Sequence, residues 1–143
     1  MKRKYFFICL MCMGPMLLSA QEVFGTWKTV DDQDGSTKSI VSAMDQNGTL
    51  ALKIIEITDK ERRDALCEKC KGAEKDASVL GMVIASGLKK ASDNTYEGAK
   101  ILDPESGKWY RCKVWLDTKD PNRLLVRGYV GFFYRTQTWI RVK

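Results

Sequence analysis

The chain has 143 residues, 24 basic against 18 acidic, and no histidine. The missing imidazole excludes Ser-His-Asp and Cys-His catalysis, His-ligated zinc and imidazole proton shuttling near neutral pH. The first 20 residues hold three of the bases (Lys2, Arg3, Lys4) and no acid, which leaves 21 against 18 in the remainder. That weak excess is mixed along the sequence and does not suggest nucleic-acid or membrane-surface binding.

Met1-Lys2-Arg3-Lys4 is a basic start, Tyr5 to Leu18 is apolar apart from Gly14 and Pro15, and Leu18-Ser19-Ala20 ends in small residues. This is the three-part layout of a secretory signal. A retained anchor is the competing reading, but the apolar run of about 14 residues falls short of the roughly 20 a spanning helix needs. Cys9 follows Ile8 and Cys12 follows Leu10-Met11. No small residue precedes either cysteine, so neither reads as a lipid-attachment site, and both leave with the signal. The expectation is a cleaved signal over residues 1–20 and a single domain over 21–143, enough chain for one core and too little for two. The protein is then exported, to the periplasm or beyond, without stable membrane insertion.

Phe24 to Val30 reads as a strand, followed by the polar turn Asp31 to Gly35. Lys38 to Met44 is a second strand, and Asn47-Gly48 signals a hairpin into a third, Thr49 to Thr58, rich in β-branched residues. Residues 59 to 78 are charged and break the rhythm, an irregular or short helical segment around Cys67 and Cys70. Val79 to Leu88 is ambiguous between strand and helix, with Gly81 and Gly87 favouring strand. Thr95 to Leu102 is a strand ended by Asp103-Pro104-Glu105-Ser106-Gly107, where Pro presets one dihedral and Gly supplies another. Lys108 to Asp117, Arg123 to Val130 and Arg135 to Val142 complete the set. About eight strands at short spacing predict an all-β domain. Sequential hairpins favour a small antiparallel up-and-down barrel, whose closure removes exposed edges. An open sandwich is the alternative.

Cys67-Glu68-Lys69-Cys70 admits three readings. Export favours a local disulfide that pins a loop. A redox pair wants a thioredoxin-like βαβ pattern, which is missing, and zinc wants four ligands where only Cys112 could add a third thiolate. Cys112 alternates with Tyr110, Val114 and Leu116 and reads as a buried free thiol, since a nucleophilic cysteine would lack its histidine base. The acidic turn at Asp31 to Asp34 is not an EF-hand, because Val30 and Val41 occupy its first and twelfth ligand positions. Gly107-Lys108 is not a phosphate loop, lacking the upstream Gly, the following Ser/Thr and the helix. On the seventh strand Leu125, Arg127 and Tyr129 share a face, and on the eighth Gln137, Trp139 and Arg141 share one. Arg127, Tyr129, Trp139 and Arg141 on barrel walls would suit an anionic or amphipathic small molecule. The competing reading puts them outside, with Arg stacked on Trp in solvent.

Across nearly all of residues 21–143 the chain resembles the exported bacterial proteins catalogued as domain of unknown function 2147. The resemblance rests on Gly25-Thr26-Trp27, Lys38-Ser39-Ile40-Val41, Cys67-x-x-Cys70-x-Gly72 and Gly81-Met82. It continues through Ile101-Leu102-Asp103-Pro104-x-x-Gly107-Lys108-x-Tyr110-x-Cys112, Val126-Arg127-Gly128-Tyr129-x-Gly131 and Arg135-Thr136-Gln137-x-Trp139-x-Arg141. Many members carry Pro between the Cys pair and Gly81, where this chain has Ala77-Ser78, a departure that bears on the loop more than the fold. The resemblance implies a barrel similar to lipocalins and fatty-acid-binding proteins. It also implies a structural role for Gly25 and Trp27, with the Trp closing one barrel end against a basic residue of the last strand, Arg141 or Arg135. It assigns no activity. The reading of the residues is a non-enzymatic barrel, without cofactor or metal, that binds a small apolar or amphipathic ligand. The alternative is a protein–protein or envelope-stress accessory module with a packed barrel and no ligand. An enzyme using carboxylates or the Cys pair is a third class, disfavoured by the absent histidine and unclustered acids.

Overall fold

The computed structural model describes residues 21–143. The signal expected over residues 1–20, with Cys9 and Cys12, lies outside the described residues. Eight strands follow one another: β1 (Gly25–Val30), β2 (Thr37–Gln46), β3 (Thr49–Ile57), β4 (Val83–Ser92), β5 (Thr95–Asp103), β6 (Lys108–Leu116), β7 (Arg123–Val130) and β8 (Phe133–Arg141). Each pairs antiparallel with the next, and β8 returns to β1, so the sheet closes as an up-and-down barrel. This is the expected architecture rather than the open sandwich.

Local chemistry sets the turns. Asn47 and Gly48 take φ of 54° and 87°, both left-handed, as a two-residue hairpin requires, and Asp45 Oδ1 accepts from the Gly48 amide at 2.8 Å. Two strands differ from expectation. β4 begins at Val83 and runs to Ser92 rather than spanning Val79 to Leu88. Residues 79–82 belong to the preceding loop, because the Val79 amide bonds to Ala65 O at 3.0 Å and the Gly81 amide to Ile54 O at 2.8 Å. β8 begins at Phe133 instead of Arg135, because Gly131, at φ 56°, and Phe132 turn the chain at once.

The segment between β3 and β4 holds two short 3-10 turns, Lys60–Arg62 and Gly72–Glu74, and an isolated bridge between Leu66 and Ser78. A disulfide joins Cys67 to Cys70. The Cys67 amide donates to Ala77 O at 2.8 Å and the Ala77 amide to Glu74 O at 3.1 Å, a bond a proline could not supply.

The strands alternate in and out with period two. Leu50, Leu52, Leu88, Val114 and Leu124 are fully buried inside. They cluster toward the end where β1 and β3 begin and β8 finishes. Residues 21–24 fold across that end: Val23 is fully buried and Phe24 packs edge-on against Tyr96, ring centroids 5.7 Å apart. The opposite end carries the disulfide loop and the β5–β6 and β7–β8 turns.

Candidate site in the barrel interior

At the closed end Trp27 lies buried across the barrel, its indole N–H donating to Val23 O at 2.9 Å. Arg141, its register partner on β8, stacks over the ring with the guanidinium carbon 4.3 Å from the centroid. Its nitrogens donate to the carbonyls of Glu22 (2.7 Å), Pro121 (3.1 Å) and Phe24 (3.4 Å). Gly25 lies beneath it, where an added Cβ would stand 3.1 Å from Nη1. Of the two basic residues the resemblance implied, Arg141 performs the stacking. It ties three chain segments together and faces the plug.

From mid-barrel to the other end the interior is hollow. A cavity of about 1030 Å³ opens to solvent there. Its deeper wall is apolar: Val41, Ile54, Ile84, Ile101, Val126 and Trp139. Polar groups interrupt it at Thr29, Ser39, Tyr110 and Gln137. The Thr29 and Ser39 hydroxyls are 2.8 Å apart, and Gln137 Oε1 accepts from the Trp139 indole at 3.2 Å. The interior is thus amphipathic, oily below and hydrogen-bonding toward the rim.

Charges ring the mouth in pairs. Lys38 sits 2.9 Å from Asp31 and 3.5 Å from Glu105, and Arg62 reaches Glu105 at 3.2 Å. The hydrogen bond from Lys38 holds the Asp31 carboxyl below the usual range, and the same bond holds Lys38 protonated to higher pH. Arg135 Nε donates to Asp32 at 3.0 Å and spans the seam between β8 and the β1–β2 loop. The seam pairs in register at Trp27–Arg141 and Lys28–Ile140, toward the closed end. The disulfide loop covers part of the mouth: Leu66, Glu68 and Lys69 line the cavity, and Cys67 Sγ lies 3.4 Å from Pro104 O. Gly107 makes this seating possible. At φ 69°, it lies so close to the loop that a Cβ would collide with the Lys69 carbonyl and stand 2.7 Å from the Cys70 nitrogen.

The four side chains singled out by strand alternation do not meet. Trp139 lines the cavity, and Arg141 lies at the closed end. On β7 the inward residues are Leu124, Val126 and Gly128, which turns Arg127 and Tyr129 outward. Arg127 stacks over Trp115 and Tyr134 at 5.0 and 4.0 Å, while Tyr129 lies under Arg111 at 5.1 Å. The expected pooling of the β7 and β8 faces into one wall does not hold: the register pairs Leu124 with Trp139, so the Trp side of β8 shares the barrel interior with the other face of β7. Thr29, Ser39, Tyr110 and Gln137 were not in the expected site. The phase of Trp27 was the available signal, since an inward Trp27 carries Thr29 inward two residues on. Cys112 is a free, fully buried thiol on β6, and burial pushes it up to about 12.

A closed eight-stranded antiparallel barrel, plugged at one end and hollow at the other, is the architecture of the lipocalin class. A solved structure described as protein HP1028 from the human pathogen Helicobacter pylori, which belongs to the lipocalin family, superposes with a TM-score of 0.74. The match covers 87% of this chain and 85% of that one at 22% identity. The family described as "Uncharacterized protein conserved in bacteria (DUF2147)" matches residues 25–141, and the chain belongs to it. No curated protein matches the chain.

Proposed function

We propose that this is an exported, non-enzymatic barrel that holds one small amphipathic ligand in its interior. The cavity is the observation that carries the reading. Its volume of about 1030 Å³ stands at the upper end of small-molecule sites, roughly 300–1,000 Å³. An acyl or other apolar moiety would lie on Ile54, Ile84, Val126 and Trp139. Its polar end would face Tyr110, Gln137 and the charged rim. The alternative, an accessory module with a solid barrel, requires a filled interior. Arg127, Tyr129 and Arg141 have no part in this reading, because Arg127 and Tyr129 face outward and Arg141 lies at the closed end. A bacterial family, the disulfide and the layout of residues 1–20 support export. The absence of histidine from the sequence and a thiol held protonated support a binding rather than a catalytic role.

Native mass spectrometry of protein recovered from the cell envelope tests the proposal, with a co-purifying mass expected. Titration with a medium-chain fatty acid or a lysophospholipid should change tryptophan emission through Trp139. Ile84→Trp, which fills the cavity, should weaken binding by at least about tenfold, the loss expected when one apolar side chain's worth of ligand contact goes. No bound mass and no spectral response to either probe would sink the reading.

A further inference from the structure

The tip of the β7–β8 hairpin is apolar and bare. Phe132 is fully exposed at 103%, Phe133 is 79% exposed, and Tyr134 and Val130 are 61% and 58% exposed. Single exposed apolar residues are ordinary, but a contiguous protruding set marks an interaction surface. Val130, Phe133 and Tyr134 also line the cavity mouth, so the tip stands at the entrance.

The outer sheet beside the tip is basic. One cross-strand row runs Lys100, Arg111, Tyr129, Tyr134, and the next holds Lys113 and Arg127. None of these four cations is ion-paired among the described residues. Arg111, Lys113 and Arg127 lie over aromatic faces instead. Glu97, opposite Lys113, lies in this patch; of the acids at the same end Asp31, Asp32 and Glu105 are ion-paired, while Asp59, Glu68 and Asp103 line the cavity mouth rather than the outer sheet. The near balance of charge along the sequence therefore hides a segregated surface.

We infer that the β7–β8 tip docks the barrel on an anionic lipid bilayer, with Phe132 and Phe133 in the interface and Arg111, Lys113 and Arg127 against the headgroups. A convex, fully exposed phenylalanine finds its complement in a bilayer interface without needing a shaped pocket. Aromatic burial at the acyl boundary combined with basic attraction is the recipe for peripheral attachment. Docking there sets the cavity mouth at the depth where amphipathic molecules reside. The inference deepens the ligand reading and rests on it for what enters the mouth, while attachment is measured separately.

Protein carrying its own N-terminal segment, as the cell processes it, is co-sedimented with phosphatidylcholine vesicles and with vesicles containing phosphatidylglycerol. Binding to the anionic vesicles is expected, weakening with salt. Phe132→Ser should reduce it about tenfold, the worth of burying one phenylalanine. Phe132 does not line the barrel cavity, so fatty-acid binding in solution should persist. Phe132→Trp should retain attachment and give a blue-shifted emission on the anionic vesicles alone. Arg111→Gln with Lys113→Gln should lower both affinity and salt dependence. Equal sedimentation of wild type and Phe132→Ser, or no anionic preference, overturns the inference. So does concentration-dependent dimerisation abolished by Phe132→Ser without vesicle attachment, which would assign the tip to a second copy. Loss of fatty-acid binding with attachment intact would instead count against the cavity reading alone.

Discussion

The two ends of the barrel are made by the same eight strands and filled in opposite ways. At the closed end Trp27, Leu50, Leu88 and Leu124 leave no exposed surface, and Arg141 uses three backbone carbonyls to bind the N-terminal segment and the β6–β7 connection to the plug. At the open end the strands still alternate, but the inward side chains are shorter or polar: Thr29, Ser39, Gly128 and Gln137. The interior there is left hollow and ion pairs ring its open mouth. Stability and binding are thus assigned to different ends. A side chain's energetic weight depends on which end of its strand it occupies.

The largest expected effect tests that division directly. Trp27→Ala removes a fully buried indole and the surface on which Arg141 stacks, and should cost about 3–5 kcal/mol in denaturant unfolding. Ile101→Ala, on a half-buried side chain facing the cavity, should cost roughly 1 kcal/mol, since little close packing is lost. Equal costs would mean that the open end is as tightly packed in solution as the closed one.

Gly107→Ala comes next and acts on the seam between barrel and loop. The new methyl meets the Lys69 carbonyl at a left-handed φ of 69°, so the disulfide loop must lift from the β5–β6 turn. A cost of roughly 1–3 kcal/mol is expected for strain of this kind. Hydrogen exchange should accelerate at the Cys67, Cys70 and Asp76 amides, which bond within the loop, while the Trp27 amide stays protected. Acceleration spread evenly through the barrel would show that loop and barrel unfold as one unit.

The strands were legible because their turns were. Asn47-Gly48 and Asp103 to Gly107 state their geometry in residue type, and the intervening alternation needs only period two. The closed end was legible through Gly25-x-Trp27, whose resemblance carried the partner on the last strand with it. Phase was harder. In Arg123 to Val130 both faces carry apolar residues, Leu124 and Val126 on one and Leu125 and Tyr129 on the other. Only pairing with Trp139 decides between them, and that contact is non-local. The cavity's lining was not legible: the choice between a hollow and a packed barrel is a property of eight inward faces taken together, none of which is unusual alone. The outward stacking of Arg127 matches the competing reading, but its grouping with Arg111 and Lys113 was not legible, because the three are neighbours in register and not in composition.

Cys112 sits where the two ends meet, between Tyr110, which lines the cavity, and Val114, which lies in the packed core. Burial raises its thiol from the ordinary 9.0 to about 12. A pKa raised in the folded state means that the protonated thiol favours folding. That contribution is complete below pH 9 and is lost as pH rises toward about 12. At pH 10 the unfolded thiol is largely ionised and the folded one is not, so about 1 kcal/mol of stability should disappear relative to pH 8. Cys112→Ala removes the titrating group, and the difference in alkaline slope between it and the wild type isolates the thiol from the lysines and tyrosines. The slope also locates the boundary. If the hollow end admitted water as deep as Cys112, the thiol would titrate near 9 in both states and the two slopes would coincide. A clear difference requires that the packed end reach up to this residue.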